Sequence, residues 1–449
     1  MRFDAIVMGA GQAGPAVAAA IAGDGGHVAL TEVDRLGGTC LNHGCRPTKA
    51  LRASARIAHL ARRAGEYGVQ TGQVRVDFDA VMRRMRDTID NMRADLADWL
   101  SSEDNIDLFG GPSLFETSDG LVHRVRADGQ VLESDRVYVD VGARAGVPPI
   151  DGLDQVAYLT EIELLALDEL PSHLIVIGAG YVGLEFGQMF RRFGSDVTIV
   201  DGGVAAQEDA DVSSAIADIL TGEGVRIVRG RASRVAPHGT GVKVSVDGDE
   251  PLTGSHLLIA TGRVPNSDRI GAETVGLGLD QRGYIRVNGR FETSVPGIRA
   301  LGDVNGRGAF THTAYNDAAI VLDDARTVDG RITAYAMFID PPLGRVGMTL
   351  AQARDSGRNV LAAQLPMSSV TRAILDSETE GLMRILVDAD SEEILGATFL
   401  GLHGDDLAQL IGVAMQSGVR YPAVRDALPI HPTMAEFIPT LLSSLAPLD

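Results

Sequence analysis

The sequence predicts an α/β chain of three domains: two parallel-sheet units followed by an α+β module. Three observations predict it. A strand, a glycine turn, a helix and a strand follow one another from residue 3; the same succession returns from residue 174; and after residue 333 the pattern changes to longer strands followed by two helices. The length of 449 residues suits about three domains of roughly 150 residues each.

Residues 3 to 8 (Phe-Asp-Ala-Ile-Val-Met) read as a short buried strand. Gly9-Ala-Gly11-Gln-Ala-Gly14 turns it into an Ala-rich helix reaching about Ile21, and a second strand, Val28 to Thr31, ends at Glu32. A glycine pattern alone is weak. Here it sits between a strand and a helix, with an acid about twenty residues on, which is the complete Rossmann-like unit that holds a dinucleotide. The glycines let the backbone approach a pyrophosphate at the positive helix end, and Glu32 can accept hydrogen bonds from ribose hydroxyls. In the second unit Leu174 to Ile177 is the strand, Gly178-Ala-Gly180-Tyr-Val-Gly183 the turn, and a helix runs to about Phe193. Val197 to Val200 then ends at Asp201. Two such units imply two nucleotides. Asp201 suits an unphosphorylated 2'-hydroxyl and no arginine follows it closely, so NADH is favoured over NADPH. Its bland role would be a turn residue before Gly202-Gly203.

Between the units, Phe78 to Leu100 reads as an amphipathic helix with Val81, Met85, Ile89, Met92, Leu96 and Trp99 on its core side. Alternating runs at 121 to 139 and 241 to 259 read as antiparallel meanders inserted in each unit, and Pro148-Pro149 and Pro171 mark expected domain crossings. Two further glycine signals follow, Ala260-Thr-Gly262-Arg-Val-Pro-Asn266 and Ala300-Leu-Gly302-Asp303. The last module, with strands near 334–339, 359–365, 382–388 and 393–400 and helices near 405–417 and 433–444, carries no nucleotide signal. Packing and assembly are its expected work.

The net charge of -20 argues against a nucleic-acid or anionic-membrane partner, either of which would need a basic surface. No apolar run reaches membrane-spanning length, and Met1 leads straight into the first strand, so a cytoplasmic location is expected. Of 40 cationic residues only Lys49 and Lys243 are lysines, which makes Lys49 conspicuous beside the cysteines. Both cysteines lie in one stretch, Gly37-Gly-Thr-Cys40-Leu-Asn-His43-Gly-Cys45-Arg46-Pro47-Thr-Lys49. A disulfide stabilises mainly by closing a long loop, roughly 3 kcal/mol for fifteen residues, so a loop this short points to reactivity instead. Pro47 suits the first position of a helix. The positive end of that helix, with His43 and Arg46, would lower the thiol pKa values.

Together these motifs resemble the flavoprotein disulfide reductases, the class I pyridine nucleotide-disulfide oxidoreductases, over essentially the whole chain. Gly-Gly-Thr-Cys-Leu-Asn-x-Gly-Cys-x-Pro-Thr-Lys is the most specific of them. The wording of His431-Pro-Thr-Met-Ala-Glu436 and of Asp340-Pro-Pro-Leu-Gly-Arg-Val-Gly347 is most similar to a mercuric-reductase-like branch. The resemblance implies a homodimer with FAD bound by residues 1–150 and 271–333, NAD(P)H by 151–270, and an interface domain over 334–449. FAD contacts would come from Gly9, Gly11, Gly14, Glu32, Gly38, Thr39, Lys49, Gly111, Gly142 and Asp303. Gly178, Gly180, Gly183, Glu185, Asp201 and Gly262 would serve NAD. Lys49 and Glu185 would pair near the flavin on the hydride route. Cys45 would be the flavin-side sulfur and Cys40 the one that attacks a small-molecule or protein-bound disulfide. His431, oriented by Glu436, would act from the partner subunit, although Thr433-Met-Ala-Glu436 is also a capping-box pattern.

Three departures accompany the resemblance. The tail ends Ser-Leu-Ala-Pro-Leu-Asp without the cysteine pair that mercuric reductases use, and their N-terminal metal-binding domain is not represented, so efficient Hg(II) reduction is not expected. Asp140-Val-Gly142 stands where relatives usually carry Thr-Gly, which puts one FAD contact in question. His43 and Arg46 replace apolar or small residues and either favour an anionic disulfide or tune the thiols. Two other readings stay open: direct transfer from the flavin to a quinone or metal ion, and a metal site built from Cys40, His43, Cys45 and His431.

Overall fold

A computed structural model describes residues 1–117 and 120–448. The chain divides into two compact units, one of Met1–Leu51, Asp79–Val147 and Gly262–Gly330, the other of Arg52–Phe78, Pro148–Thr261 and the chain from Arg331 onward.

The first unit is organised on a five-stranded parallel sheet in the order Ile298–Ala300, Val137–Val139, Ala5–Met8, Val28–Glu32, Ile106–Gly110. Ala5–Met8 lies at its centre and every residue of it is buried. An unbroken apolar run is what a strand covered on both faces requires. The helix Gly14–Gly23 packs Val17, Ala18 and Ile21 against Val7 and Leu30, so the glycine turn between strand and helix is held from both sides. Leu114–Phe115, His123–Ala127 and Gln130–Ser134 form an antiparallel meander. The alternating run expected to end at 139 leaves this meander early: Val137–Val139, apolar at all three positions, joins the parallel sheet beside Ala5–Met8.

The second unit repeats the plan. Its parallel sheet runs Arg226–Arg229, Asp196–Asp201, His173–Ile177, His256–Ile259, and its meander is Ala232–His238, Gly241–Val246, Leu252–Gly254. Again the last strand of the alternating run, His256–Ile259, returns to the parallel sheet. The chain passes between units after Val147, at the Pro148-Pro149 pair, and returns at Gly262, ahead of residue 271. Pro171 lies within the second unit, where its carbonyl accepts the Ser195 hydroxyl at 2.6 Å.

The helix Phe78–Ser101 forms as expected and buries Met85 and Ile89 of the expected stripe, with Leu96 packed on the core, but its inward face is rotated so that Met82 and Leu100 are buried while Met92 and Trp99 are exposed. In the last module a six-stranded antiparallel sheet includes Leu343–Gly347, a strand the sequence reading missed. Two glycines and a charged residue hide it. Arg345 is buried there because Glu208 accepts from its Nη1 at 2.6 Å, and Gly344 lies against Gly404 at the start of the helix Gly404–Gln416. The final helix begins at Phe437, a turn later than expected.

Candidate active site

The cysteine stretch is locked onto the first glycine turn by its own backbone. Gly37 N–H donates to Ala10 O at 2.8 Å, and Gln12 Nε2 donates to Gly37 O at 2.9 Å. Gly38 has φ +57°, and a Cβ there would lie 2.8 Å from Gly11 Cα, so only glycine permits this approach. Asn42 then pins the loop, its Nδ2 donating to Arg35 O, Leu36 O and Gly38 O while its Oδ1 accepts from Arg93. Cys40 sits in the short helix Gly38–Asn42, and the long helix Cys45–Arg63 starts on the other cysteine. Pro47 is therefore third in that helix rather than first, still within the turn whose N–H groups lack intrahelical partners. Further along, Arg56 of the same helix donates to Asp340 Oδ1 at 2.5 Å and to Glu378 Oε1 at 2.7 Å, and Asp340 Oδ2 accepts from Arg192 at 2.5 Å.

Cys40 is half-buried and Cys45 exposed. Cys45 Sγ lies 3.4 Å from Thr311 Oγ1. The pKa of Cys40 is not lowered as expected. The hydrogen bond to Cys45 and burial push it well up, and Thr311 and Arg46 oppose this without winning. The physical reason is that the thiols share a proton: once one sulfur is a thiolate, the other holds what remains. His43 turns to Asp34, Nε2 to Oδ2 at 3.4 Å.

The two glycine turns are near copies. At Gly9 (φ +105°) an added Cβ would lie 2.3 Å from Asp140 O, and at Gly178 (φ +113°) 2.3 Å from Ala260 O. The acid that ends each second strand folds back on its turn. Glu32 Oε2 accepts from Ala10 N–H at 2.9 Å and Oε1 from Asp34 N–H at 3.0 Å; Asp201 Oδ2 accepts from Ala179 N–H at 2.8 Å and Oδ1 from Gly203 N–H at 3.1 Å. Asp201 thus makes the same kind of turn contacts as Glu32, at the end of its own strand. Gly14 and Gly183 leave no space for a side chain, since an added Cβ would lie 2.1 Å from Gly9 O and 2.0 Å from Gly178 O respectively. These cradles, with N–H groups at a helix start and an acid at the strand end, fit an adenine dinucleotide each.

Other expected FAD residues of the first unit lie around its turn. Thr39 Oγ1 accepts from Arg263 Nη2 at 3.5 Å, and Arg263 Nε is 3.9 Å from Asp303 Oδ2. Burial pushes Asp303 up in pKa, against the pull of Arg263. Gly142 O accepts from Asn266 N–H at 3.1 Å, and Gly111 follows the strand Ile106–Gly110. Lys49 projects from the first turns of the cysteine helix. In the second unit Glu185 is buried on the helix Tyr181–Phe193 and accepts from Phe338 N–H at 2.8 Å, and Gly180 caps that helix; Gly262, expected to serve NAD, opens the returning segment of the first unit.

His431 Nδ1 is 2.8 Å from Glu436 Oε2, with the His431 side chain 73% exposed and that of Glu436 9%. Because the helix starts at Phe437, Glu436 is not the third residue of a capping box. Thr433 Oγ1 does accept from Glu436 N–H at 3.2 Å, but the carboxylate is given to the histidine. Among the described residues no group of three His, Cys, Asp or Glu side chains is arranged to hold a metal, and His43 faces Asp34, so the cysteine–histidine metal site is not formed. Sequence reasoning missed Thr311 beside Cys45, whose signal was its place in Phe310-Thr-His312 after the Gly302-Asp303 turn.

Residues 3–318 match the pyridine nucleotide-disulphide oxidoreductase family, and residues 333–442 match its dimerisation domain. The chain is 33% identical to RclA of Escherichia coli, a probable pyridine nucleotide-disulfide oxidoreductase, over 98% of this chain and 99% of that one. It is 32% identical to the mercuric reductase of Streptomyces lividans over 97% and 94%. The solved structure of the HOCl-induced flavoprotein disulfide reductase RclA superimposes with a TM-score of 0.89 at 33% identity, covering 98% of this chain and 99% of that one. The chain therefore belongs to the pyridine nucleotide-disulphide oxidoreductase family. It is an FAD-dependent NAD(P)H disulfide oxidoreductase carrying that family's dimerisation domain. Among the described residues no helix is long and apolar enough to cross a membrane.

Proposed function

We propose that this enzyme uses NADH to reduce a small-molecule or protein-bound disulfide through the Cys40–Cys45 pair, or runs the reverse dithiol oxidation, in the cytoplasm. The observation that carries the reading is the docking of the cysteine loop on the first glycine turn, which ties the thiols to the turn we assign to FAD. The first unit is assigned to FAD, with Gly9, Gly11, Gly14, Glu32, Gly38, Thr39, Lys49, Gly111, Gly142 and Asp303 as its contacts. The turn at Gly178, with Gly180, Gly183, Glu185, Asp201 and Gly262, is assigned to NADH. The acid at Asp201 favours a 2'-hydroxyl over a 2'-phosphate.

Bound FAD supplies a hydride acceptor and an electron-pair donor to a disulfide. The residues do the rest. Lys49 and Glu185 are assigned to the hydride route as an ion pair. The thiolate is assigned to Cys45 and the proton to Cys40, whose pKa is raised by its hydrogen bond to Cys45 and by burial. Attack by Cys40 on a substrate disulfide then needs a group to take that proton and return it to the leaving thiolate. His431, held by Glu436, has the chemistry for both. We assign it to the partner subunit's site. Leu428 and Ile430, 95% and 77% exposed just before it, support burial of this segment against a second copy. Arg46, exposed beside Cys45, favours an anionic disulfide.

The test is anaerobic reduction by NADH followed by reoxidation with a panel of neutral and anionic disulfides. Prompt reoxidation by a disulfide, lost in Cys40→Ser, is the expected result. Reoxidation by quinones or metal ions alone, unchanged in Cys40→Ser, would overturn the substrate class.

A further inference from the structure

The residue at position 140 separates two turns that otherwise repeat each other. The carbonyl that closes on Gly9 belongs to Asp140; the one that closes on Gly178 belongs to Ala260. The backbone job is the same, so the first turn carries an extra carboxyl group at a place where the second has a methyl. That carboxyl is aimed into the turn. Its Oδ2 accepts the Gly14 N–H at 2.8 Å, at the start of the helix Gly14–Gly23, and lies 3.0 Å from where a Gly11 Cβ would be. Its Oδ1 lies 2.8 Å from where a Gly302 Cβ would be, in the turn that carries Asp303. The group is wedged between the two glycine turns assigned to FAD, and Asp140 is 7% exposed.

Its charged surroundings are acidic. Asp303, from the Gly302–Asn305 turn, and Asp317, from the helix Thr311–Val321, both disfavour an anion here, while the Gly14 and Ala13 N–H groups of the helix start favour one. Arg263, the cation closest to this cluster in the bonding scheme, is directed to Asp303. Burial dominates and holds Asp140 well above the ordinary carboxylate range. A dinucleotide diphosphate set at this helix start adds further negative charge. A neutral carboxylic acid can keep the Gly14 bond through one oxygen and offer an O–H with the other, whereas a carboxylate can only accept.

We propose that Asp140 is a positioning residue of the FAD site that holds the cofactor as the neutral acid, so that binding FAD is linked to binding one proton. The proposal rests on the assignment of the first turn to FAD. The sign follows from linkage: a group with higher proton affinity in the FAD-bound state favours binding at low pH, and that contribution is lost as pH rises. Once Asp140 ionises in the FAD-free protein, the FAD dissociation constant should rise about tenfold per pH unit, until the bound form ionises too.

The test follows flavin release from the holoenzyme by recovery of flavin fluorescence, from neutral to alkaline pH at fixed ionic strength, in the wild type, Asp140→Asn and Asp140→Ala. The alanine variant installs the residue of the second turn, which keeps a readout where the asparagine variant does not fold. The wild type should lose FAD more readily as pH rises, and both variants should show a flat profile. A flat wild-type profile, or the same slope in a variant, overturns the role of Asp140 and leaves the FAD assignment standing. A native protein without flavin absorbance would overturn that assignment itself.

Discussion

The turn at Gly9 and the turn at Gly178 each close on a carbonyl that leaves no room for a Cβ, which would lie 2.3 Å from the oxygen in both, and each is capped by the acid of its second strand. What differs is what is attached. The first turn has the loop Gly37–Gly38 bonded to it, and through that loop both cysteines; it also has Asp140 beneath it and Asp303 nearby. The second has Ala260 beneath it, Asp201 at its ribose position and Glu185 one turn along its helix. The glycine fingerprint therefore specifies a backbone shape, and the attachments divide the work. The turn that carries the thiols is suited to the electron carrier that must meet them, and the other to the nucleotide that arrives and leaves.

Changes at each attachment should break that division in different places. Cys45→Ser should lower disulfide reduction by about 10⁴-fold or more, while flavin content and reduction by NADH persist, as seen by absorbance and steady-state rates. His431→Ala should lower turnover by about 10²–10⁴-fold without changing the rate at which NADH reduces the flavin. Glu436→Gln should have a smaller effect and shift the pH profile of kcat/KM. Gly178→Ala should leave a yellow protein whose reduction by NADH is at least about tenfold slower, given a backbone strain of about 1–3 kcal/mol before any clash with Ala260 O. Gly9→Ala should instead give a protein poor in flavin, with Asp140 O in the way. If both glycine variants lose flavin equally, the division is wrong. The smallest effect is expected for Asp201→Asn, which should raise KM for NADH by about tenfold through loss of a charged hydrogen bond and narrow the preference over NADPH.

Much of this was legible in the sequence because its signals are local. A strand, glycines at fixed offsets and an acid about twenty residues on need no tertiary information, and neither does a pair of cysteines five positions apart before Pro47. What escaped depends on partners distant in sequence. Leu343–Gly347 is a strand because Glu208 neutralises Arg345, which no window around residue 345 contains. Thr311 reaches Cys45 across 266 positions, and Asp140 reaches Gly14 across 126. Position 140 was noticed only as a departure, since its carboxyl acquires meaning from the turn it enters. The core face of Phe78–Ser101 was legible only in part: Met85 and Ile89 are buried as expected, but which flank of the apolar stripe is covered depends on the elements packed against it, so Met82 is buried and Met92 is not. The thiol pKa was misjudged because a helix start was weighed and the second thiol was not.

The central claim is that the first turn's cofactor and the Cys40–Cys45 pair are two redox centres in series. Anaerobic titration with dithionite counts them directly. The wild-type enzyme should consume twice as much reductant per flavin as Cys45→Ser, with the extra electron pair opening the disulfide. Equal consumption by the two proteins would contradict the account.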